Sequence, residues 1–224
     1  HVLKEASLGQ AGGLQCDLAI LPWGATEPHN FHLPFGTDTF QAERVAEEAA
    51  RRAASRGARV SVLPAVPFGA NAQQLGTPLT LNLNPSTQAR ILEDVLRSLE
   101  HHGVGKLLIL NGHGGNDFKQ MLRELQPGSD IFLCCSNWWS ILDASGYFDD
   151  PGDHAGELET SVMLHLCPDL VRPLEEAGPG RARRFRLHGL RDGVAWAPRD
   201  WARDRKSHTS ELQSQFRISY AVFC

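Results

Sequence analysis

Apolar residues in this chain fall in short runs separated by longer stretches of helical character. Asp17-Leu18-Ala19-Ile20-Leu21-Pro22, Arg59 to Val66, Lys106-Leu107-Leu108-Ile109-Leu110 and Asp130 to Cys135 read as strands. Between them, Thr39 to Arg56 is rich in Ala, Glu and Arg, and Gly57 stops it as a helix. Asn84-Pro85 supplies a cap and a first-turn proline for a helix running to His102, ended by Gly103. Further helices are predicted from Asp117 to Gln126, closed by Pro127-Gly128, and from Gly156 to Leu166, ahead of Pro168. Strands alternating with helices imply crossover connections, hence an α/β fold whose mainly parallel sheet is covered on both faces. In such sheets ligands bind at the loops beyond the carboxyl ends of the strands. The 224 residues suit one domain, 1–224, better than two small ones.

Composition narrows the function classes. With 21% charged residues and a net charge of −4, the chain offers no global polycation for nucleic acid. No apolar run approaches the roughly 20 residues of a membrane span, and His1-Val2-Leu3-Lys4-Glu5 lacks the apolar core of a signal peptide. The five cysteines (16, 134, 135, 167, 224) form no evenly spaced framework, which favours a reduced, cytoplasmic setting. Cys134 and Cys135 lie in an apolar run and are expected to pack in the core.

The polar chemistry sits on loops that follow, or lie just past, predicted strands. Pro22-Trp23-Gly24-Ala25-Thr26-Glu27-Pro28-His29-Asn30-Phe31-His32-Leu33-Pro34-Phe35-Gly36-Thr37-Asp38 holds two carboxylates and two imidazoles on an irregular segment. That donor set suits Zn²⁺, Mn²⁺ or Fe²⁺ better than Ca²⁺ or Mg²⁺. Pro28 biases Glu27 towards extended backbone, where Glu27 and His29, two apart, point to one side. Asn111-Gly112-His113-Gly114-Gly115-Asn116 lets the backbone approach a ligand around one imidazole. It lacks the spacing and the lysine of a phosphate-binding loop. Asp153-His154-Ala155-Gly156-Glu157-Leu158-Glu159-Thr160-Ser161 opens a helix, and the three-residue spacing of His154 and Glu157 predicts a shared face. Asp153 as a helix cap, with two favourable first-turn glutamates, is the plainer reading.

Taken in order, PWGATEPHNFHLPFGTD, NGHGGN and DHAGELETSVML resemble the creatininase family of metal-dependent amidohydrolases, from roughly Asp17 to Val171. The resemblance implies a three-layer α/β/α fold, two divalent ions per subunit (Zn, Mn or Fe), a homo-oligomer, commonly a hexamer, and a small-molecule amide substrate. It places Glu27 and His113 on one ion, His29 on the other and Asp38 between them. His154 is then the acid/base, and Asp153 stands where creatininase proper has a substrate-contacting Glu.

Departures from that pattern carry information. Creatininase proper has a metal-binding Glu where this chain has Gly115, and an apolar residue where it has Glu157, so Glu157 is the expected fifth ligand. Glu159 is expected to support the ligands or the fold, and His32 to orient a ligand through a hydrogen bond. Trp138 or Trp139 matches one site tryptophan. The other has no counterpart in Phe148-Asp149-Asp150-Pro151, which argues against creatinine as substrate. Gln73-Gln74 replaces a His often seen in that loop, making Gln73 a candidate substrate contact.

The expected reaction is hydrolysis of a non-peptide C–N bond, in a cyclic amide or formamide, by a metal-activated water. His154 would pass the proton to the leaving nitrogen. The alternatives are a non-catalytic binding or assembly protein on this fold and a dinuclear phosphoesterase. From Arg181 to Lys206 nine Lys or Arg stand against three Asp, read as a subunit contact or solvated surface that includes Arg191, Trp196 and Trp201. The segment 172–224 is divergent. Beyond Lys206 it continues no recognisable family pattern, as a truncated or altered end would.

Overall fold

The computed structural model describes residues 2–12, 15–149, 152, 154–178, 187–192 and 194–198. In chain order its elements are α1 (Leu8–Ala11), β1 (Leu18–Trp23), α2 (Thr37–Ala54), β2 (Val60–Val62), α3 (Pro85–His101), β3 (Lys106–Asn111), α4 (Phe118–Leu125), β4 (Phe132–Asn137), α5 (Glu157–Leu166) and α6 (His188–Arg191). The four strands form one sheet in the order β2-β1-β3-β4, with every neighbouring pair parallel. Each strand and long helix predicted from the apolar pattern is present, with ends shifted by a few residues. Asp153, Asp150, Trp201 and most of the basic run 181–206 lie outside the described residues.

Alternation along the strands splits the core into two layers. Ala19, Leu21 and Trp23 of β1, with Leu107 and Ile109 of β3, pack against Leu92, Leu96 and Leu99 of α3 and Phe118 and Met121 of α4. The opposite residues, Ile20, Leu110, Val60 and Val62, pack against Ala46 and Ala50 of α2 and Val162 of α5. Two buried faces are what a parallel sheet with helical crossovers requires. The alanines of α2 let it lie close to the sheet.

At the edge strand β4 the cover runs out. Phe132 and Cys134 are exposed, so the expected core packing of Cys134 fails, whereas Cys135, half-buried, does pack against the core layer of β1 and β3. An apolar run gave no warning of that, because edge strands keep one flank open whatever their sequence.

Parallel pairing sends all four carboxyl ends the same way, so the loops after β1, β2, β3 and β4 gather at one end of the sheet. Gly112 fixes how tightly: a Cβ there would strike the Asp38 carbonyl oxygen and sit 3.0 Å from the Ala42 methyl. The first turn of α2 therefore rests directly on the end of β3.

Candidate metal centre

The loop after β1 is held in an open, extended course. Thr26 Oγ1 donates to the Pro67 carbonyl at 2.7 Å, and Glu27 N donates to the Phe35 carbonyl at 3.1 Å. Asn30 takes left-handed backbone, φ 54°. Its side-chain oxygen accepts from Phe31 N at 2.8 Å and Gly178 N at 3.0 Å. Asn is among the few residues that tolerate this conformation. The turn brings Glu27 and His29 over the start of α2, where Asp38 lies in the first turn and gains from the helix dipole.

The loop after β3 is set by buried amides. Asn111 Nδ2 donates to the His113 carbonyl and to Asn137 Oδ1, both at 2.9 Å. Asn116 Nδ2 donates to Asn111 Oδ1 at 3.1 Å. Asn116 Oδ1 accepts from Gln88 Nε2 at 2.8 Å and Ala70 N at 3.0 Å. Both asparagines therefore hold the loop together, as a glycine-rich segment with few side chains of its own needs.

Three imidazoles then converge under one rule. Each ring gives one nitrogen to a backbone carbonyl: His29 Nδ1 to Glu27 O at 3.1 Å, His113 Nε2 to Ala70 O at 3.2 Å, His154 Nε2 to Pro28 O at 2.8 Å. A carbonyl can only accept, so those nitrogens carry hydrogen and the other nitrogen of each ring faces inward. His29 Nε2 lies 2.8 Å from Asp38 Oδ1. His113 Nδ1 lies 2.8 Å from Glu27 Oε1 and 3.0 Å from Asp38 Oδ2. His154 Nδ1 stands back, 3.8 Å from Glu27 Oε1, with its ring centroid 4.3 Å from that of His29.

Three groups of inward atoms are spaced for a cation: Glu27, His29 and His154; Glu27, Asp38 and His113; and His29, Asp38 and Glu159. Glu27, His29, Asp38 and His113 are each at most 4% exposed. Asp38 Oδ2 is buried and close to His113 Nδ1 but makes no aligned hydrogen bond among the described residues. A buried carboxylate oxygen that faces an imidazole off-axis fits a shared ion better than a direct bond.

Charge balance points the same way. Burial alone would lower the pKa of His29, but Asp38, Glu159 and Glu27 outweigh it and raise it to about 10. Burial is likewise overcome at His113 by Glu27 and Asp38, so its pKa also rises well above the usual value. Burial would lift Asp38, but His29 and His113 hold it below the normal carboxylate range. Glu159 is pushed up, first by burial and then by Asp38. Carboxylates this close together need cations, and protons on the imidazoles fill that role when no metal does.

Several expected site residues take other places. Glu157 is buried but belongs to none of the three groups among the described residues; Glu159 does, with Oε2 4.0 Å from His29 Nε2. The shared-face argument for His154 and Glu157 assumed that the helix already included His154. It starts at Glu157, because Ala155 is left-handed (φ 49°) and Gly156 extended. Glu159 then folds back to accept from Ala155 N. Gly115 explains the need for a donor from this helix: a Cβ there would strike the Ala70 carbonyl and the His113 ring, so no carboxylate fits at that position.

His32 reaches Thr160 Oγ1 at 2.9 Å rather than a ligand, while burial and the neighbouring His29 lower its pKa. It ties the loop to α5. Trp138 packs in the α2–α5 core at 6% exposure. Gln73 is half-buried, whereas Gln74, 2% exposed, donates through Nε2 to Glu27 Oε2. No feature of the sequence separated these two glutamines.

The fold and this site define a class, α/β proteins with a parallel sheet and a candidate metal centre beyond its carboxyl ends. The creatininase family pattern, described as creatinine amidohydrolase, matches residues 5–211, further in both directions than the motifs alone. The chain belongs to the creatininase family. It is 30% identical to a creatinine amidohydrolase of Pseudomonas putida over 75% of this chain and 70% of that protein. It is 31% identical to a mycofactocin precursor peptide peptidase of Mycolicibacterium smegmatis over 76% of this chain and 68% of that protein. A crystal structure from Bacteroides fragilis, a proposed creatinine amidohydrolase, superposes with a TM-score of 0.85 at 47% identity. It covers 89% of this chain and 80% of that one.

Proposed function

We propose that this chain is an amidohydrolase working through two divalent ions. In this reading Glu27 and His113 would hold one ion and His29 and Glu159 the other, with Asp38 available to both. The observation that carries the reading is the split of Asp38: Oδ1 lies 2.8 Å from His29 Nε2 and Oδ2 3.0 Å from His113 Nδ1. When bound, such a pair of ions lowers the pKa of water and polarises a carbonyl.

The chain's own residues supply the rest. Asp38 and Glu27 keep the imidazoles facing inward. His154, anchored by the Pro28 carbonyl, turns its Nδ1 towards the cluster and is placed to move a proton to the leaving nitrogen. Asp153 is assigned to orient His154 or to contact the substrate, as the family pattern implies. The loops bury Glu27, His29, Asp38 and His113 and so shield the cluster from bulk water.

The bond cleaved is a C–N bond of a small amide other than creatinine. Relatives of similar identity are named as a creatinine amidohydrolase and as a peptidase. Cyclic amides and formamides are the first class to test, with short peptides as the second. No helix among the described residues is long and apolar enough to cross a membrane. A homo-oligomer in the cytoplasm, free of nucleic acid, completes the reading.

The test is metal content with activity. Protein loaded with Mn²⁺, Fe²⁺ or Zn²⁺ is expected to hold two ions per chain, and Asp38→Ala to lose both together with hydrolysis. A well-folded wild-type chain that takes up no ion under any loading condition sinks the reading. Parallel assays with formamides, cyclic amides, short peptides and phosphoesters separate the hydrolase classes.

A further inference from the structure

The loop after β2 touches two of the three ligands of one proposed ion. Ala70 O holds His113 Nε2 at 3.2 Å, and Gln74 Nε2 donates to Glu27 Oε2. The other ion's ligands are held from elsewhere, His29 by the Glu27 carbonyl and Glu159 by Ala155 N. The β2 loop is itself braced. Asn71, fully buried, donates through Nδ2 to the Leu81 carbonyl at 3.1 Å, and its N–H donates to Asn82 Oδ1 at 2.8 Å. Gln74 N donates to the Asn71 carbonyl at 2.9 Å, and Ala70 N to Asn116 Oδ1 at 3.0 Å.

We infer that Gln74 is a positioning residue for the Glu27–Asp38–His113 ion, one that fixes Glu27 as a ligand through a single oxygen. The two oxygens of Glu27 have separate surroundings. Oε1 faces His113 Nδ1 at 2.8 Å, His154 Nδ1 at 3.8 Å and His29 Nε2 at 4.0 Å, whereas Oε2 faces the Gln74 amide. A buried carboxylate oxygen without a donor turns towards the nearest cation. The amide N–H removes that incentive without adding charge, and Gln74 is buried at 2% exposure with its backbone N held by the Asn71 carbonyl. A carboxylate held at one oxygen leaves a coordination position open at that ion for substrate or water.

The inference rests on the two-ion reading, so the test uses backgrounds that retain one ion each. Glu159→Gln keeps the Glu27–Asp38–His113 ion, and His113→Asn keeps the His29–Asp38–Glu159 ion. Co²⁺ binding is followed by its visible absorption and by calorimetry. Adding Gln74→Met, similar in length but without a donor, is expected to weaken Co²⁺ by about 10–100-fold in the Glu159→Gln background. In the His113→Asn background the change is expected to stay below about twofold. Gln74→Asn, polar but too short to reach Glu27, is expected to behave as Gln74→Met, which excludes a simple loss of packing. Equal weakening in both backgrounds, or none in either, overturns the inference. A wild-type chain that binds no Co²⁺ overturns the two-ion reading itself.

Discussion

The loop after β1 and the segment from β4 to α5 both deliver side chains to the metal cluster, but they are built on opposite plans. The first is stiffened locally: Glu27, His29 and Asn30 are fixed by hydrogen bonds to backbone near at hand or to the adjoining loops. The second is held by packing at its start and by a helix at its end. Trp138 is anchored in the α2–α5 core, and Glu159 arrives only after a left-handed Ala155 and an extended Gly156, with His154 just ahead of them. A site needs both kinds of support. Local bonds set the ligand angles, and the packed segment sets how close the last donor and the acid/base come.

The largest effect is expected where the second segment supplies charge. Glu159→Gln removes a ligand charge and should leave one ion per chain, with hydrolysis abolished, whereas Glu157→Gln should retain both ions. Elemental analysis of the two purified variants decides the matter. Two ions in Glu159→Gln and one in Glu157→Gln would reverse the assignment.

Replacing His154 probes the same segment without touching the ions. His154→Ala is expected to lower kcat by about 10²–10⁴-fold while metal content stays at the wild-type level. Loss of an ion from this variant would make His154 a ligand, which its place near Glu27 and His29 permits geometrically. The contrast between kcat and metal content is what separates the two roles.

This pair of predictions also marks where sequence was informative. The parallel sheet and the long helices could be anticipated from the apolar pattern, and the convergence of the three loops from their places beyond strand ends, whereas the set Glu27, His29, Asp38, His113 and His154 is implied by the resemblance to the creatininase family. Glu159 could not be chosen over Glu157, since the choice depends on two backbone torsions, at Ala155 and Gly156, that a helical-spacing argument takes as regular. Gln74 could not be chosen over Gln73, because which of two adjacent side chains faces a carboxylate depends on a short 3-10 turn, Ala72–Gln74, whose preceding Asn71 is braced by Leu81 and Asn82. Trp138 is a site candidate, alongside Trp139, only through the family resemblance, whereas it packs in one core cluster with Ala46, Ala50 and Leu110.

Trp138 therefore tests the packed plan on stability rather than chemistry. Trp138→Ala should destabilise the fold by about 3–5 kcal/mol, measured by denaturant unfolding of the metal-free protein. Activity per folded, metal-loaded molecule should change little by comparison. Trp138→Phe should cost much less, because it keeps most of the ring volume and removes a buried indole N–H that has no partner among the described residues. A selective fall in kcat/KM with unchanged stability would return Trp138 to the substrate pocket.

The smallest effect belongs to the locally stiffened loop. Asn30 combines two stabilising features: a residue type suited to φ 54°, and a side-chain oxygen that accepts from Phe31 N and Gly178 N. Asn30→Ala loses both and should cost about 1–3 kcal/mol. Asn30→Gly restores the backbone freedom but not the bonds, and should recover part of that cost. If the loop is stiffened by the side-chain bonds, Asn30→Gly will also weaken metal binding, since His29 lies one residue away and depends on the course of this turn. If backbone preference alone shapes the loop, Asn30→Gly will bind metal as the wild type does. Titrating Co²⁺ into both variants distinguishes the two, and a wild-type affinity in Asn30→Ala would show that the remaining carbonyl and carboxylate contacts of Glu27 and His29 hold the ligands unaided.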